Sequence, residues 1–381
     1  MTITSLTIPG MPLYWRVATS MESVNGIPKT LPFTFDVMLQ HGLVIQQREP
    51  QTLEVLKKIY TQEANVGYLQ EGNDFSKPYG KDFLKFLNAV VEEREVKSAL
   101  EIGCGGCTVL ADLKQSGIDV CGIDSSSFAA REGAKHDIPV VTDFYPSEHI
   151  KERFDLIFCV DVLEHIDNPV QFLERICNNL APGGALVVNV PDCTESIDMG
   201  DISMVIHQHL NYFERESLRS VVMAAGYEVL DCCSANYGGS LYLSAIRGGR
   251  AYKLPENVKR RASTFQVKAL NMMEKFKGML DEAQAEGESI GFYVPLRAFP
   301  YIFSCASGRE FRLFDDTPGW HQCYFDGYNV CVENFEDLAT KPTKILVVMS
   351  LTFGEVIRDK LASDPRTAGI KVSLLSEYAR G

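Results

Sequence analysis

No run of eighteen or so apolar residues occurs in the 381-residue chain, so the sequence offers no segment of membrane-spanning length. Its first residues, MTITSLTIPGMPLYW, lack the basic segment and apolar core of a secretory leader, and the expectation is a cytoplasmic protein with no membrane partner. Positive charge is scarce: 37 Lys and Arg against 50 Asp and Glu give a net charge of −13. That balance opposes general binding to nucleic acid, which needs clusters of Lys and Arg, though a basic pocket for one phosphate stays open. The eleven cysteines have no framework of paired spacing, and Cys121, Cys159, Cys232 and Cys233 fall in apolar runs, as reduced thiols of a reducing compartment would. Cys104 and Cys107 form a CxxC without a second CxxC or a spaced histidine pair, so no metal is expected there. Short-period repeats and low-complexity segments are also absent.

What is present is an ordinary globular composition, 45% apolar, on a chain long enough for two or three domains with cores. The organising stretch is SALEIGCGGCTVLADLKQSGIDVCGIDSS at 98–126. Ser98 to Ile102 is an apolar run of strand length, Gly103, Gly105 and Gly106 make a turn, and Thr108 to Gln115 has helical spacing. A second apolar run ends in Asp124 and Ser125, about twenty residues beyond the turn. This is half of a nucleotide-binding βαβ unit, whose second strand places an acid on ribose hydroxyls. Glu101, just ahead of the glycines, would repel a pyrophosphate and suit a cation. The order acid, x, Gly, x, Gly resembles the first motif of class I S-adenosylmethionine (SAM) methyltransferases, with Cys107 where the third glycine would stand. Taken alone, the turn leaves open a dinucleotide site or a plain strand-to-helix connection.

Along the chain, residues 1 to about 80 are broken by Pro9, Pro12, Pro28, Pro32 and Pro50. Gln51 to Tyr60 has helical spacing. Gly67 to Gly80 has loop composition and is expected to form a lid, with Tyr68 toward the acceptor and Tyr79 toward the cofactor. Lys81 to Glu93 reads as an amphipathic helix. After Asp124 come a helix over Phe128 to Lys135 and a strand Pro139 to Val141, beyond which Asp143 and Phe144 are placed to meet an adenine. The buried run Leu156 to Val160 then carries Asp161, Val162, Glu164 and His165 at its carboxyl end, where open parallel sheets bind ligands. A helix from Pro169, the turn APGG at 181–184, a strand Ala185 to Val190, a helix Ser217 to Ala225 and a hairpin through YGGS at 237–240 complete the pattern. The fold class expected is α/β: a Rossmann-like methyltransferase domain whose parallel sheet ends in an antiparallel hairpin, plus a smaller C-terminal Rossmann-like α/β domain. The boundaries expected are 1–80 for the N-terminal segment and lid, 81–248 for the methyltransferase domain, 249–288 for a helical connector and 289–381 for the C-terminal domain.

The order of parts resembles the sugar C-methyltransferases of deoxysugar pathways, most specifically in DISMVIHQHLNYF at 201–213, in YGGSLYLS at 237–244, and in the final unit with FDD and VVMSLTFGEVI. The resemblance implies a SAM cofactor, S-adenosylhomocysteine as product, and a sugar-like acceptor that is open to being nucleotide-linked. It implies catalytic roles for His207, Gln208, His209 and Tyr212, with His209 as general base, and acceptor contacts from Asn211. Gln208 stands where the family has Glu, and Ile206 where it has Tyr. Those groups serve removal of a carbon-bound proton, so the expectation leans to O-methylation, with C-methylation of a ketosugar as the alternative. If extended, the segment would put His207 and His209 on one face. No cysteine precedes Cys104, so the family's zinc cysteines are missing and no metal is expected. In the last unit Pro295 and Arg297 replace small residues and a Lys, and Arg297 is the group left to meet a phosphate.

The site expected from these readings comprises Glu101, Gly103, Gly105, Asp124, Ser125, Asp143, Phe144, Asp161, Val162, His165 and Tyr79 on the cofactor, His209, His207, Gln208 and Tyr212 at the chemistry, and Tyr68, Asn211 and Arg297 on the acceptor. A non-catalytic SAM-binding scaffold and an NAD-dependent enzyme are the readings from other classes. The oligomeric state is left open between monomer and homodimer.

Overall fold

In a computed structural model, the structure describes residues 6–12, 17–18, 28, 30–61, 76–249, 252–306, 308–317, 319–325 and 330–379. The chain folds into two compact units whose segments alternate in sequence. One comprises Val37–Thr194 and His209–Ala262, the other Met1–Asp36, Glu195–Gln208 and Ser263–Gly381.

The first unit is built on a seven-stranded sheet. Its strands are β1 (Ser98–Ile102), β2 (Asp119–Asp124), β3 (Val140–Thr142), β4 (Phe154–Val160), β5 (Leu180–Pro191), β6 (Tyr227–Ser234) and β7 (Ser240–Arg247). Across the sheet the order is β6-β7-β5-β4-β1-β2-β3. β1 to β5 run parallel, and β7 lies antiparallel to both β5 and β6, so the expected closing hairpin is present. Helices α1 (Ser76–Arg94), α2 (Thr108–Gln115), α3 (Ser127–Lys135), α4 (Pro169–Ile176) and α5 (Arg215–Ala224) connect the strands.

Alternation along each strand builds cores on both faces. Leu100, Ile102, Ile157, Cys159, Leu186 and Val188 enter one cluster. Their neighbours Ala99, Leu156, Phe158, Ala185 and Val187 enter the other. Strands buried on both faces read as continuous apolar runs, which is why β1, β4 and β5 stand out in the sequence. α4 shows why the helices start where they do. Asn168 caps its first turn by accepting from the Gln171 amide at 3.1 Å, Pro169 occupies the first position, and Phe172, Leu173 and Ile176 are buried on one stripe.

α1 starts at Ser76 rather than at Lys81, so the expected lid is helical over its last five residues. Pro78 sits in the first turn, where its missing N–H breaks no helical bond. Tyr79 is 4% exposed and belongs to the core. The rest of the expected lid, with Tyr68, lies outside the described residues.

In the second unit, Ile290–Tyr293, Arg312–Phe314, Val332–Glu333, Ile345–Val348 and Lys371–Leu374 form a five-stranded sheet with parallel pairings throughout. Its core gathers Tyr293, Phe314, Leu338, Leu346, Val348, Leu361 and Leu374. The long helix Glu256–Ala285 precedes it in sequence. Among the described residues no helix is long and apolar enough to cross a membrane.

α3 lies close against the sheet because Gly133 has no side chain: a Cβ there would meet Val140 Cγ2 at 2.5 Å and the Ile138 carbonyl at 2.9 Å. Gly133→Ala is therefore expected to lower stability by about 1 to 3 kcal/mol. Gly278→Ala, in open space on the long helix, should raise it by up to about 1 kcal/mol. Denaturant midpoints measure both; a Gly133→Ala midpoint equal to that of the wild type would show that α3 does not pack as described.

Candidate active site

The site begins at the turn after β1. The Gly103 amide donates to the Ile123 carbonyl at 2.8 Å, tying the turn to β2. Gly103 holds φ +76°, and a Cβ on it would lie 2.5 Å from Val162 Cγ2. Both facts require glycine. Cys107, where a third glycine was expected, caps α2 at φ 57°, so the left-handed conformation survives with a side chain in it. Asp124, at the tip of β2, accepts from the Gly105 amide at 3.0 Å, the Ser126 amide at 2.8 Å and the Ser126 hydroxyl at 2.7 Å. A carboxylate has roughly four acceptor positions, so three fix it and acceptor capacity remains for ribose hydroxyls, one of them sharing an oxygen with a fixing bond. Ser125 donates from its hydroxyl to the Tyr60 carbonyl at 3.5 Å.

Glu101 is 3% exposed, and among the described residues its Oε2 has no hydrogen-bond partner. Burial, with the neighbouring Cys107 and Asp124, pushes its carboxyl well above the usual range. A buried carboxyl oxygen without a donor is destabilising on its own and fits a cationic ligand, which would restore the carboxylate. On that ground the turn fits SAM, whose sulfonium and ammonium are cationic.

Asp161 follows β4 with φ 53° and accepts from the Tyr79 hydroxyl at 3.1 and 3.2 Å. Burial raises its carboxyl to about 6 despite that bond. The Tyr79 oxygen also lies 2.9 Å from the Ser240 hydroxyl and accepts from Asn189 Nδ2 at 3.1 Å. Its ring lies against the YGGS turn, where a Cβ on Gly238 would sit 2.3 Å from Tyr79 Cδ2. The turn that the sequence singled out thus anchors Tyr79.

Past Asp161, the turn Leu163–His165 brings Glu164 and His165 beside His209. Glu164 is 1% exposed, and among the described residues neither of its carboxyl oxygens has a hydrogen-bond partner. Burial, then the charge of Asp161, pushes its carboxyl well up. His165 Nε2 lies 3.7 Å from Glu164 Oε1, and its Nδ1 lies 3.2 Å from the Tyr60 hydroxyl. The His165 and His209 rings meet edge to face at 5.0 Å.

Backbone bonds hold the histidine in place. Asn211 and Tyr212 pair antiparallel with Ile45 and Val44. The Leu210 amide donates to the Glu164 carbonyl at 2.7 Å. Arg48 donates to the Gln46 and Leu210 carbonyls at 2.5 and 2.6 Å and to Asn211 Oδ1 at 2.7 Å.

Several expected roles change. Asn211, read as an acceptor contact, is 1% exposed and donates to the Leu163 and Ile166 carbonyls at 3.1 and 2.7 Å, which makes it a brace for the Glu164 turn. His207, read as catalytic, is fully buried with Nε2 3.1 Å from the carbonyls of Met11 and Leu31. Burial lowers its pKa to about 4, which favours the neutral imidazole. Residues 207 and 208 form a turn, so the extended geometry that would put both histidines on one face is not met. Gln208 is 1% exposed, and Tyr212 is fully buried with its ring 6.4 Å from that of His209. Both belong to packing rather than to an open pocket.

Asp143 accepts from the Ser147 hydroxyl at 2.6 Å and the Phe144 amide at 2.8 Å, and Phe144 is 39% exposed beneath Lys57. Arg297, in the other unit, directs Nη1 to the Ser203 carbonyl at 3.4 Å. Sequence reasoning missed Tyr60, Arg48, Asn189 and Ser240. Arg48 and Tyr60 carried no motif, and Ser240 was visible only as the last residue of YGGS.

The family model described as a methyltransferase domain matches residues 76–231. The chain is 30% identical over 118 residues to the mitochondrial ubiquinone biosynthesis O-methyltransferase of Schizosaccharomyces pombe, covering 28% of this chain and 43% of that protein. It is 28% identical over 109 residues to the ubiquinone biosynthesis O-methyltransferase of Aliivibrio fischeri, covering 26% and 47%. The chain thus spans less than half the length of these curated relatives. A solved SAM-dependent methyltransferase from Clostridium acetobutylicum is 13% identical with a TM-score of 0.38, over 53% of this chain and all of that one. Residues 76–231, which hold β1 to β5 and the turn after β1, thus carry the match to a methyltransferase domain. Both of these relatives are ubiquinone biosynthesis O-methyltransferases.

The raised carboxyl of Asp161 has a consequence for stability. A group whose folded pKa of about 6 exceeds its unfolded value near 3.9 contributes stability below pH 4 that is lost as pH rises through 6. Asp161→Asn should therefore melt higher than wild type at pH 8, by at most roughly 3 kcal/mol of stability, and differ little at pH 4. A variant no more stable than wild type at pH 8 would show that Asp161 is not strained by its burial.

Proposed function

We propose that this protein is a SAM-dependent methyltransferase that methylates a hydroxyl of a small polar, sugar-like acceptor, with His209 managing the acceptor's proton. The observation that carries the reading is the line of groups at the carboxyl edge of the sheet: the Gly103 turn with Glu101 beneath it, the fixed Asp124, and then Asp161, Glu164 and the His165 and His209 rings. Bound SAM supplies an electrophilic methyl group on a sulfonium.

The chain's own residues supply the rest. Glu101 faces the cationic end, Asp124 takes the ribose hydroxyls, and Asp143 and Phe144 border the adenine. Asp161, held by Tyr79, adds a second carboxyl beside the turn. His209 is the group to take the acceptor's proton, since an imidazole titrates near working pH.

The relatives, named as O-methyltransferases, support O-methylation, and Gln208 and Ile206 speak against C-methylation because a carbon-bound proton needs the stronger base and enolate donor that Glu and Tyr would provide. The sugar-like acceptor rests on the sequence resemblance, and S-adenosylhomocysteine is the expected product. Residues 81–248 serve as the methyltransferase domain in this reading. The eleven cysteines, none in a disulfide, support a reducing, cytoplasmic setting.

His209→Ala should reduce turnover by about 10² to 10⁴-fold, while the dissociation constant for SAM stays within about threefold of wild type. Single-turnover methyl transfer and calorimetry, run on the same preparation, measure the two. Methyl transfer at close to the wild-type rate would remove His209 from the chemistry.

A further inference from the structure

We propose that Glu164, His165 and His209 bind a divalent first-row transition-metal ion such as Mn²⁺, Co²⁺ or Zn²⁺. The inference rests on the methyltransferase reading for its purpose and on geometry alone for its site.

One carboxyl oxygen of Glu164 and one nitrogen from each of His165 and His209 lie within 4.8 Å of one another. Bonds of about 2.1 Å meeting at right or tetrahedral angles place such atoms about 3 to 3.5 Å apart, so closure by rotation of the rings is enough. One such pair, His165 Nε2 and Glu164 Oε1, is already at 3.7 Å. The second observation is the carboxyl group itself. It is 1% exposed, neither oxygen has a hydrogen-bond partner among the described residues, and it sits at the centre of the cluster. A buried carboxylate without donors is strongly destabilising, and a dication bonded to it removes that penalty.

The surroundings suit ligation. Tyr60 lies 3.2 Å from His165 Nδ1, so Nδ1–H can donate to the phenol oxygen and leave the Nε2 lone pair toward the carboxylate. The Leu210 amide on the Glu164 carbonyl, at 2.7 Å, fixes the distance between the two segments that supply the ligands. Two imidazoles and one carboxylate favour borderline metals over Mg²⁺ or Ca²⁺, and three protein ligands leave positions for an exchangeable oxygen. An acceptor hydroxyl in such a position loses its proton at lower pH: the O–H bond breaks, its electron pair stays on oxygen, and the proton passes to water. With the ion bound, His209 would act through the metal as a ligand, in place of taking the acceptor's proton itself.

The sequence leads to the opposite expectation, because Glu164–His165 and His209 are separated by more than forty residues and show no ligand spacing. The Leu210 amide on the Glu164 carbonyl and the Asn211 side chain on the Leu163 and Ile166 carbonyls bring them together.

The test uses the full chain, stripped with a chelator and titrated with Co²⁺ and Mn²⁺. We expect one equivalent bound, a Co²⁺ spectrum without thiolate charge-transfer bands, and nitrogen modulation in the Mn²⁺ spin-echo signal. Glu164→Gln, which keeps the shape of the side chain, should weaken binding at least 100-fold, and His165→Asn at least 10-fold, with unchanged circular dichroism. Absence of saturable binding to the wild type, thiolate bands, or wild-type affinity in both variants would each overturn the site. A parallel SAM titration separates the two claims: heat with SAM but none with metal sinks this inference alone, while no heat with SAM sinks the enzymatic reading.

Discussion

The structure depends on a constraint that water normally relieves: carboxyl groups taken out of solvent without enough donors. Glu101 and Glu164, both buried, and the half-buried Asp161 crowd the carboxyl edge of one sheet, and desolvation raises all three. In a domain that needed only stability such groups would be replaced by apolar side chains, because a buried unpaired charge outweighs what packing around it contributes. Their retention marks a place prepared for cations. In the proposed reading, a sulfonium at Glu101 and a metal at Glu164 would answer the same electrostatic demand at two points of one edge.

The fold makes such an edge tolerable by fixing everything around it. Strands buried on both faces stop at the same level, so the residues just past Ile102, Asp124 and Val160 emerge together. Gly103 lets the first turn close on Val162, and Asp124 is locked by two amides and a hydroxyl before any ligand arrives. Preorganised groups of this kind lose little freedom on binding, which is how a rigid scaffold turns binding into alignment. Arg48 and Asn211 do the same for His209, spending their hydrogen bonds on backbone carbonyls rather than on a ligand.

Much of this was legible in the residues, and the places where it was not have physical causes. The strand, glycine turn and helix at 98–115 announced themselves because sheet burial leaves apolar runs and the turn needs positive φ. The closing hairpin was readable from YGGS. Tyr79 was read as part of a loop because proline and glycine surround it, yet Pro78 is harmless in a first helical turn and the ring is held by Ser240 and Asn189, more than a hundred residues away. His207 and His209 looked like a pair because they are two apart, but a turn at 207–208 ends that relation. The Glu164–His165–His209 group was hidden for the converse reason: its segments are joined by long-range hydrogen bonds from Leu210 and Asn211, which leave no periodicity to detect.

Titration calorimetry of the intact chain with SAM, and separately with NAD, tests the central claim most directly. The account predicts saturable heat with SAM, none with NAD, and a marked loss of SAM affinity in Glu101→Gln. Heat with NAD but not with SAM, or a Glu101→Gln variant that binds SAM as tightly as wild type, would contradict the idea that this edge is built for a cation.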